Sequence, residues 1–274
     1  MIQRVAILGA GAFGETMIKV IASADERKRG VEVIATHRRA ERRAELEERY
    51  GVFVLADNRE ACEGADMIYP VVRPEQMADL MREIGPSIKD HQILAAGAAS
   101  LRLPFYRRFL PSRCTLAWVF PTPFMTMCAG FLAIHPEPDT SPDKLSDLEE
   151  YWSRFCDEIV VIEEEAMDTF VILHASGQSY LWPIIKAYVD FGSQNGFSTE
   201  QAQAIVLSTL GCSARMLKEM DCSPLGLDLM MSKWSGPGTL TASGLEVLKR
   251  NYAESLYAQA LEAARDQATR HRQG

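Results

Sequence analysis

Residues 4–14 read RVAILGAGAFG, and this stretch decides the fold of the first half of the chain. Val5 to Leu8 form a short apolar run that is typical of a buried strand, and the run ends in the turn GAGAFG at 9–14. A helical pattern begins at Glu15. A strand, a GxGxxG turn and a helix in this order are typical of a dinucleotide-binding Rossmann unit. The alternative is a glycine turn in an α/β domain that binds no nucleotide.

The turn itself predicts cofactor contacts. Gly9 permits the tight turn, Gly11 lets the backbone approach a pyrophosphate, and Gly14 lets the helix pack close to the strand. The backbone N–H groups at the start of the helix, around Ala12 and Phe13, are expected to face the phosphates, since a helix N-terminus carries partial positive charge.

The end of the second predicted strand, 31–36, indicates which dinucleotide binds. NAD enzymes usually have Asp or Glu there to hold the ribose hydroxyls. This chain has Thr36, His37, Arg38 and Arg39 instead. A hydroxyl and two guanidinium groups suit a 2′-phosphate, because guanidinium groups bind phosphate through paired charged hydrogen bonds. We therefore predict NADP(H), with Thr36, His37 and Arg38 as cofactor contacts and Arg38 as the better candidate for the 2′-phosphate. Arg39 has an equally good interpretation as a surface charge on the next helix.

The first half alternates strands and helices, which predicts an α/β fold with a parallel sheet covered on both faces over 1–162. Further strands are predicted at 67–72, 92–96 and 115–119, with late strands at 131–134 and 159–162 near the sheet edge. Strand patterns stop after residue 163, which predicts an all-helical domain over 163–274. Ser198 and Gln201 form a capping box there. Helices this apolar cannot bury both sides alone, so we expect a homodimer through this domain.

Composition narrows the class of protein. The chain has 274 residues, 47% of them hydrophobic, and a net charge of −8. An acidic chain without a basic stripe is a poor candidate for binding nucleic acid or anionic membranes. It has no apolar run long enough to span a membrane, no leader and no CxxC among its six cysteines, so we predict a cytoplasmic protein without a metal site.

Eight segments together resemble the pyrroline-5-carboxylate reductase family, the last enzyme of proline synthesis. They are GAGAFGETMI (9–18), THRR (36–39), DNREACEGADMI (57–68), VVRPEQ (71–76), LAAGAASL (94–101), HASGQSYLW (174–182), LGCSARML (210–217) and SGPGTLTASGL (235–245). Each segment alone is weak evidence, but their order and spacing cover nearly the whole chain.

The resemblance implies hydride transfer from NADPH to the C=N bond of a small imine, at a site between the two domains of a dimer, with higher oligomers possible. It implies cofactor contacts at Asn58, at Val72, Arg73 and Pro74, and at Ala96 and Gly97. It further implies a loop that holds the substrate carboxylate with backbone N–H groups, here Ser235, Gly236, Gly238 and Thr239.

The sequence departs from the family at the substrate end. The segment 119–123 reads VFPTP and lacks the family's Asn. In the loop, proline has moved to position 237, where it deletes one N–H donor and restores another. The second threonine of the family pattern falls on Leu240, or on Thr241 if one residue is inserted. We retain Thr239 and Thr241 as candidate catalytic residues.

His174 stands where the family has serine. Reduction of an imine needs a protonated nitrogen, and histidine titrates in the right range to supply or relay that proton. The alternative is a packed or helix-capping histidine without a catalytic role.

Two other functions stay open from the sequence. One is a carbonyl reductase of the β-hydroxyacid dehydrogenase type, although the nearest lysine, Lys186, is poorly placed for that chemistry. The other is a non-catalytic NADP-binding protein that acts in regulation, which the altered loop at 235–241 would suit.

Overall fold

The structure is a computed structural model that describes residues 1–98, 101–111 and 113–273. Eight strands form one sheet in the order β3-β2-β1-β4-β5-β6-β7-β8. The strands are β1 (Arg4–Leu8), β2 (Glu32–Thr36), β3 (Phe53–Leu55), β4 (Met67–Pro70), β5 (Ile93–Ala96), β6 (Thr115–Phe120), β7 (Phe131–Pro136) and β8 (Glu158–Val161). The predicted α/β class with an N-terminal Rossmann domain is confirmed.

The strand order reverses at β1, which lies between β2 and β4. In its two pairings Leu8 is in register with Thr36 on one side and with Pro70 on the other. In open α/β sheets, ligands bind outside the carboxyl ends of the strands at such a switch point. The glycine turn follows Leu8 directly, so the topology places it at this point.

The sheet departs from the sequence predictions in two places. The strand β3 was not predicted, because three residues are too few to show a periodic pattern. The sheet is also not wholly parallel, since β6 and β7 run antiparallel. The connection over 121–130 is shorter than the dozen or so residues that a parallel crossover needs, so the chain turns back.

Helices cover both faces of the sheet, as predicted. They are α1 (Ala12–Ile21), α2 (Ala24–Lys28), α3 (Ala40–Tyr50), α4 (Asn58–Cys62), α5 (Pro74–Ile84), α6 (Leu103–Arg107), α7 (Pro142–Trp152) and α8 (Glu164–Phe170). The core on one face includes residues of α1, α3 and α7. The core on the other face includes residues of α4, α5, α6 and α8. Each face therefore has its own apolar core.

Contacts divide the chain into two compact units. The first comprises Met1–Ala175 with the end of the chain from Gln267, and the second comprises Ser176–Asp266. The first unit extends beyond the division predicted between 162 and 163, because α8 buries Met167 in a core of the sheet. The predicted division into domains 1–162 and 163–274 stays a prediction.

The second half is helical, as predicted. Its helices are α9 (Gly177–Gln194), α10 (Thr199–Lys218), α11 (Pro224–Trp234), α12 (Leu240–Arg250) and α13 (Ala253–Gln273). The capping box of Ser198 and Gln201 is present at the start of α10. Among the described residues of the second unit, only Ala202 and Val206 are buried hydrophobics. A single copy therefore gives this unit almost no core.

None of the described helices combines the length and the apolar character that a membrane span needs.

Candidate functional site

The glycine turn has the geometry that a phosphate site needs. Gly9 has a φ of 97°, and a Cβ there would lie 2.6 Å from a methyl carbon of Val72. A Cβ on Gly14 would lie 2.5 Å from the carbonyl oxygen of Gly9, so larger residues are excluded at both positions. A Cβ on Gly11, in contrast, would meet no atom within 4 Å from the described residues beyond its chain neighbours and its own helix backbone. This open space at the start of α1 fits a pyrophosphate.

Thr36 holds the turn in place. Its hydroxyl accepts a hydrogen bond of 3.0 Å from the backbone N–H of Gly9, and its carbonyl oxygen accepts one of 2.8 Å from Ala10. The side chain is buried. Its hydroxyl is thus engaged with the turn, so the role the structure supports for Thr36 is to position the turn.

A cleft of about 420 Å³ opens beside the turn at the carboxyl ends of the strands. Of the residues predicted to bind the cofactor, eight line it: Gly9, Gly11, Thr36, His37, Arg38, Asn58, Val72 and Arg73. The volume and the lining residues are those of a small-molecule site. The structure therefore brings together residues that are up to 64 positions apart in sequence, at Gly9 and Arg73.

Six other predicted cofactor contacts do not line this cleft. Ala12 and Phe13 are exposed at the start of α1, and Gly14 beside them is buried. Pro74 is the exposed first residue of α5. Ala96 is buried at the end of β5, and Gly97 after it is partly exposed. They stay predictions. Ala99 and Ser100 of the LAAGAASL segment lie outside the described residues.

Two arginines supply the cationic groups of the cleft. The side chains of Arg38 and Arg73 are exposed, and neither forms an ion pair within the described part of the chain. Arg43 donates hydrogen bonds of 3.1 and 3.0 Å to the carbonyl oxygens of His37 and Arg38, which fixes the backbone that carries Arg38. Nδ1 of His37 accepts a hydrogen bond from Arg39. An anchored backbone with a free guanidinium fits a 2′-phosphate.

The sequence analysis missed one wall of the cleft. Gln76, Asp79, Leu80 and Glu83 line it from α5. Their spacing of three and four residues places them on one face of the helix, and this signal was available in the sequence. Both oxygens of Glu83 accept hydrogen bonds from the amide of Asn58, at 3.2 and 3.1 Å, so this pair ties α4 to α5.

His174 lies among three aromatic rings at the end of the first unit. Its ring centroid is 5.0 Å from that of Phe124, 5.5 Å from Phe170 and 6.0 Å from Phe131. Its Nε2 accepts a hydrogen bond of 2.9 Å from the backbone N–H of Phe131. Burial lowers the pKa of His174, and the accepted hydrogen bond requires an unprotonated Nε2. The neutral ring therefore carries its proton on Nδ1.

The predicted substrate loop belongs to the second unit. Thr239 is the N-cap of α12: its hydroxyl accepts a hydrogen bond of 3.1 Å from Ala242 and donates one of 2.8 Å to the carbonyl oxygen of Gly236. The Ser235 hydroxyl donates to the carbonyl of Met231 at 2.6 Å. Gly238 has a φ of 77°, which permits the turn. Thr241 is exposed on the first turn of α12, and its hydroxyl has no hydrogen-bond partner among the described residues.

Two families match the two halves of the chain. Residues 4–98 match the family described as NADP oxidoreductase, coenzyme F420-dependent. Residues 164–271 match the family described as pyrroline-5-carboxylate reductase dimerisation. Pyrroline-5-carboxylate reductase 1 of Bacillus spizizenii is 26% identical over 262 residues, which cover 96% of this chain and 87% of that protein. These matches together support a place for the chain in the pyrroline-5-carboxylate reductase family.

Solved structures of the family show the same fold. A pyrroline-5-carboxylate reductase from Streptococcus pyogenes aligns with a TM-score of 0.85 at 22% identity, over 97% of both chains. The pyrroline carboxylate reductase of Plasmodium falciparum, solved with NADP bound, aligns with a TM-score of 0.84 at 20% identity, over 99% of this chain and 98% of that one. The two matches give an NAD(P)-dependent oxidoreductase with a dimerisation domain, and they agree with the predicted NADP(H) cofactor.

Proposed function

We propose that this family member is a reductase that transfers hydride from NADPH to the C=N bond of a small cyclic imine bearing a carboxylate, with pyrroline-5-carboxylate as the first candidate. The observation that carries the proposal is that one chain joins an NADP-type cleft to a pyrroline-5-carboxylate reductase dimerisation domain. The relatives of that name align over almost the whole chain, which supports the same chemistry here. A cytoplasmic location stays a prediction.

The residues of the cleft fit NADPH, which would supply the hydride. The open side of Gly11 and the N-terminus of α1 would hold the pyrophosphate. Arg38 would bind the 2′-phosphate, and this contact would favour NADPH over NADH. Asn58 would lie beside the adenosine ribose with its orientation fixed by Glu83.

The start of α12 suits a carboxylate. The backbone N–H groups of Leu240 and Thr241 have no acceptor within the described part of the chain, since Thr239 caps only the N–H of Ala242. Free N–H groups on the first turn of a helix favour an anion. We assign the substrate carboxylate to these groups, with Thr239 as the residue that orders the loop and Thr241 as a free hydroxyl beside it.

The proton for the imine nitrogen is assigned to the predicted residue His174. Since Nε2 accepts from Phe131, only Nδ1–H could donate. The low pKa keeps the ring neutral near pH 7, so it would relay a proton rather than store one.

The oligomer is proposed to be a homodimer through the helical unit, with higher oligomers possible. Large apolar side chains such as Trp182, Phe191, Leu229 and Trp234 are more than half exposed in one copy. Exposed apolar surface on this scale marks an interaction site, and the dimerisation match supports a second copy as its partner.

The test is the oxidation of NADPH by the purified protein with pyrroline-5-carboxylate, with other cyclic imines with and without a carboxylate, and with β-keto acids. We expect turnover on carboxylated imines. The variant Gly238→Pro, which changes the predicted substrate loop, should lose turnover without losing NADPH binding. Turnover only on keto acids would instead identify a carbonyl reductase. Tight NADPH binding with no turnover on any compound would identify the non-catalytic alternative.

A further inference from the structure

Glu15 forms a charged cluster that connects the two phosphate-binding parts of the cofactor cleft. It is the first residue after Gly14 and lies in the first turn of α1. Its carboxylate pairs with Arg42 and with Arg49 at 3.1 Å, and it accepts a hydrogen bond of 2.9 Å from the hydroxyl of Tyr50. All three partners lie on α3, so one side chain joins α1 to α3.

The cluster is protected from solvent at its centre. The side chains of Glu15 and Arg42 are each 20% exposed, whereas that of Arg49 is 62% exposed. Partial burial opposes ionisation of Glu15, but hydrogen bonds from Tyr50 and Arg42 outweigh it and hold its pKa below the usual value. The carboxylate is therefore charged at neutral pH, and a protected pair of this kind is screened less than a surface pair.

The same helix fixes the segment that carries Arg38. Arg43, one residue beyond Arg42, donates to the carbonyl oxygens of His37 and Arg38. The chain of contacts thus runs from the pyrophosphate turn through Glu15 and α3 to the backbone of Arg38. The distance between the two phosphate contacts depends on how α3 is held against α1.

We propose that Glu15 is a positioning residue for cofactor choice, which sets the place of Arg38 relative to the glycine turn and so strengthens the preference for NADPH over NADH. This inference rests on the proposed binding of NADPH. Glu15 does not line the cleft and is assigned no contact with the cofactor. It acts through α3.

The test measures the Kd of NADPH and of NADH, by quenching of protein fluorescence, for the wild type, Glu15→Gln, Arg38→Gln and the double variant. Glu15→Gln keeps the size of the side chain and removes its charge. We expect it to raise the Kd of NADPH by about threefold or more and to leave the Kd of NADH within about twofold, a coupling of ordinary size for groups connected through a shared backbone shift. In the Arg38→Gln background the same change should have no further effect on NADPH.

Lys28→Gln is the matched control, since it removes an ion pair with Asp25 at 3.2 Å in which both side chains are more than three quarters exposed. Thermal unfolding of every variant shows whether it folds, and Glu15→Asp supplies a milder change if Glu15→Gln does not. Equal weakening of both cofactors, or an undiminished effect of Glu15→Gln beside Arg38→Gln, would overturn the proposal. Failure of the wild type to bind NADPH more tightly than NADH would instead overturn the proposed cofactor.

Discussion

The hydroxyl of Thr36, at the end of β2, accepts a 3.0 Å hydrogen bond from the backbone N–H of Gly9. This bond joins residues 27 positions apart and makes the second strand part of the glycine turn. The residue type suggested the Thr36 hydroxyl as a phosphate contact, but in the structure this hydroxyl bonds to the protein backbone. The N–H of Gly9 is only partly buried, so losing this acceptor costs the net contribution of one hydrogen bond.

Thr36→Val should therefore destabilise the turn. We expect the free energy of unfolding to fall by about 0.5–1.5 kcal/mol, the net contribution of a typical intramolecular hydrogen bond. Cofactor binding should weaken for NADPH and NADH alike, since both share the pyrophosphate. Chemical denaturation and cofactor titration measure the two effects. Thr36→Ser keeps the hydroxyl and is the control; equal loss in both variants would show that the methyl group matters and not the hydrogen bond.

Arg38→Gln should separate the two cofactors. Loss of a charged hydrogen bond to phosphate costs about 1.5–3 kcal/mol, which corresponds to a rise of about tenfold to a hundredfold in the Kd of NADPH. The Kd of NADH should stay nearly constant. Arg39→Gln is the control, because Arg39 is at the N-cap position of α3 without a capping bond from its side chain and does not line the cleft. A larger effect at Arg39 than at Arg38 would contradict the assignment.

Gly97→Ala should disturb the end of β5 through Tyr69. The added Cβ would lie 2.3 Å from the hydroxyl oxygen of Tyr69, whose ring is fully buried and cannot move aside. Overpacking of this kind costs about 1–3 kcal/mol of unfolding free energy. Because Tyr69→Phe removes the clashing oxygen, the double variant should recover part of the loss in thermal unfolding. Additive losses in the double variant would show that the clash is not the cause.

His174 gives the stability of the first unit a defined pH dependence. Its pKa is lowered in the folded state, so the folded protein resists protonation more than the unfolded chain. This contribution is present above the pKa of the unfolded histidine and is lost as the pH falls through the folded value. Glutamine at 174 keeps an acceptor for Phe131 but does not titrate. Unfolding of His174→Gln should thus depend less on pH between 7 and about 5 than that of the wild type.

The same variant tests the catalytic prediction. If His174→Gln turns over substrate with an unchanged rate and pH profile, His174 has a packing role and no catalytic role. A loss of kcat at constant Kd for NADPH would support proton relay through Nδ1.

Thr239 and Thr241 should have separable roles. Thr239→Ala removes an N-cap, which costs about 0.5–2 kcal/mol and loosens the loop. Its KM for the imine should rise, whereas Thr239→Ser should remain close to wild type. Thr241→Ala leaves the cap intact, so a fall in its kcat would report on the hydroxyl itself. Identical kinetics for Thr239→Ala and the wild type would remove the loop from the substrate site.

Local patterns in the sequence predicted the glycine turn, most strands and the helical second half. They could not predict β3 over 53–55, which forms because β2 offers it a partner. Local patterns could not predict the cluster around Glu15 either, because its partners lie 27 to 35 positions away. Only the packing of α3 on α1 brings them together. The wall of the cleft formed by α5 could have been predicted from the sequence, since its four residues share a helical face.

The nearly coreless helical unit has a consequence for the cell. If its apolar side chains are buried only by a second copy, then this half of the chain is stabilised by association of two copies. Its stability then depends on protein concentration. A chain produced in small amounts would have a folded cofactor domain attached to helices still without a partner. The quantity of active enzyme would then rise more steeply than the quantity of protein synthesised, so that expression level itself would act as a threshold.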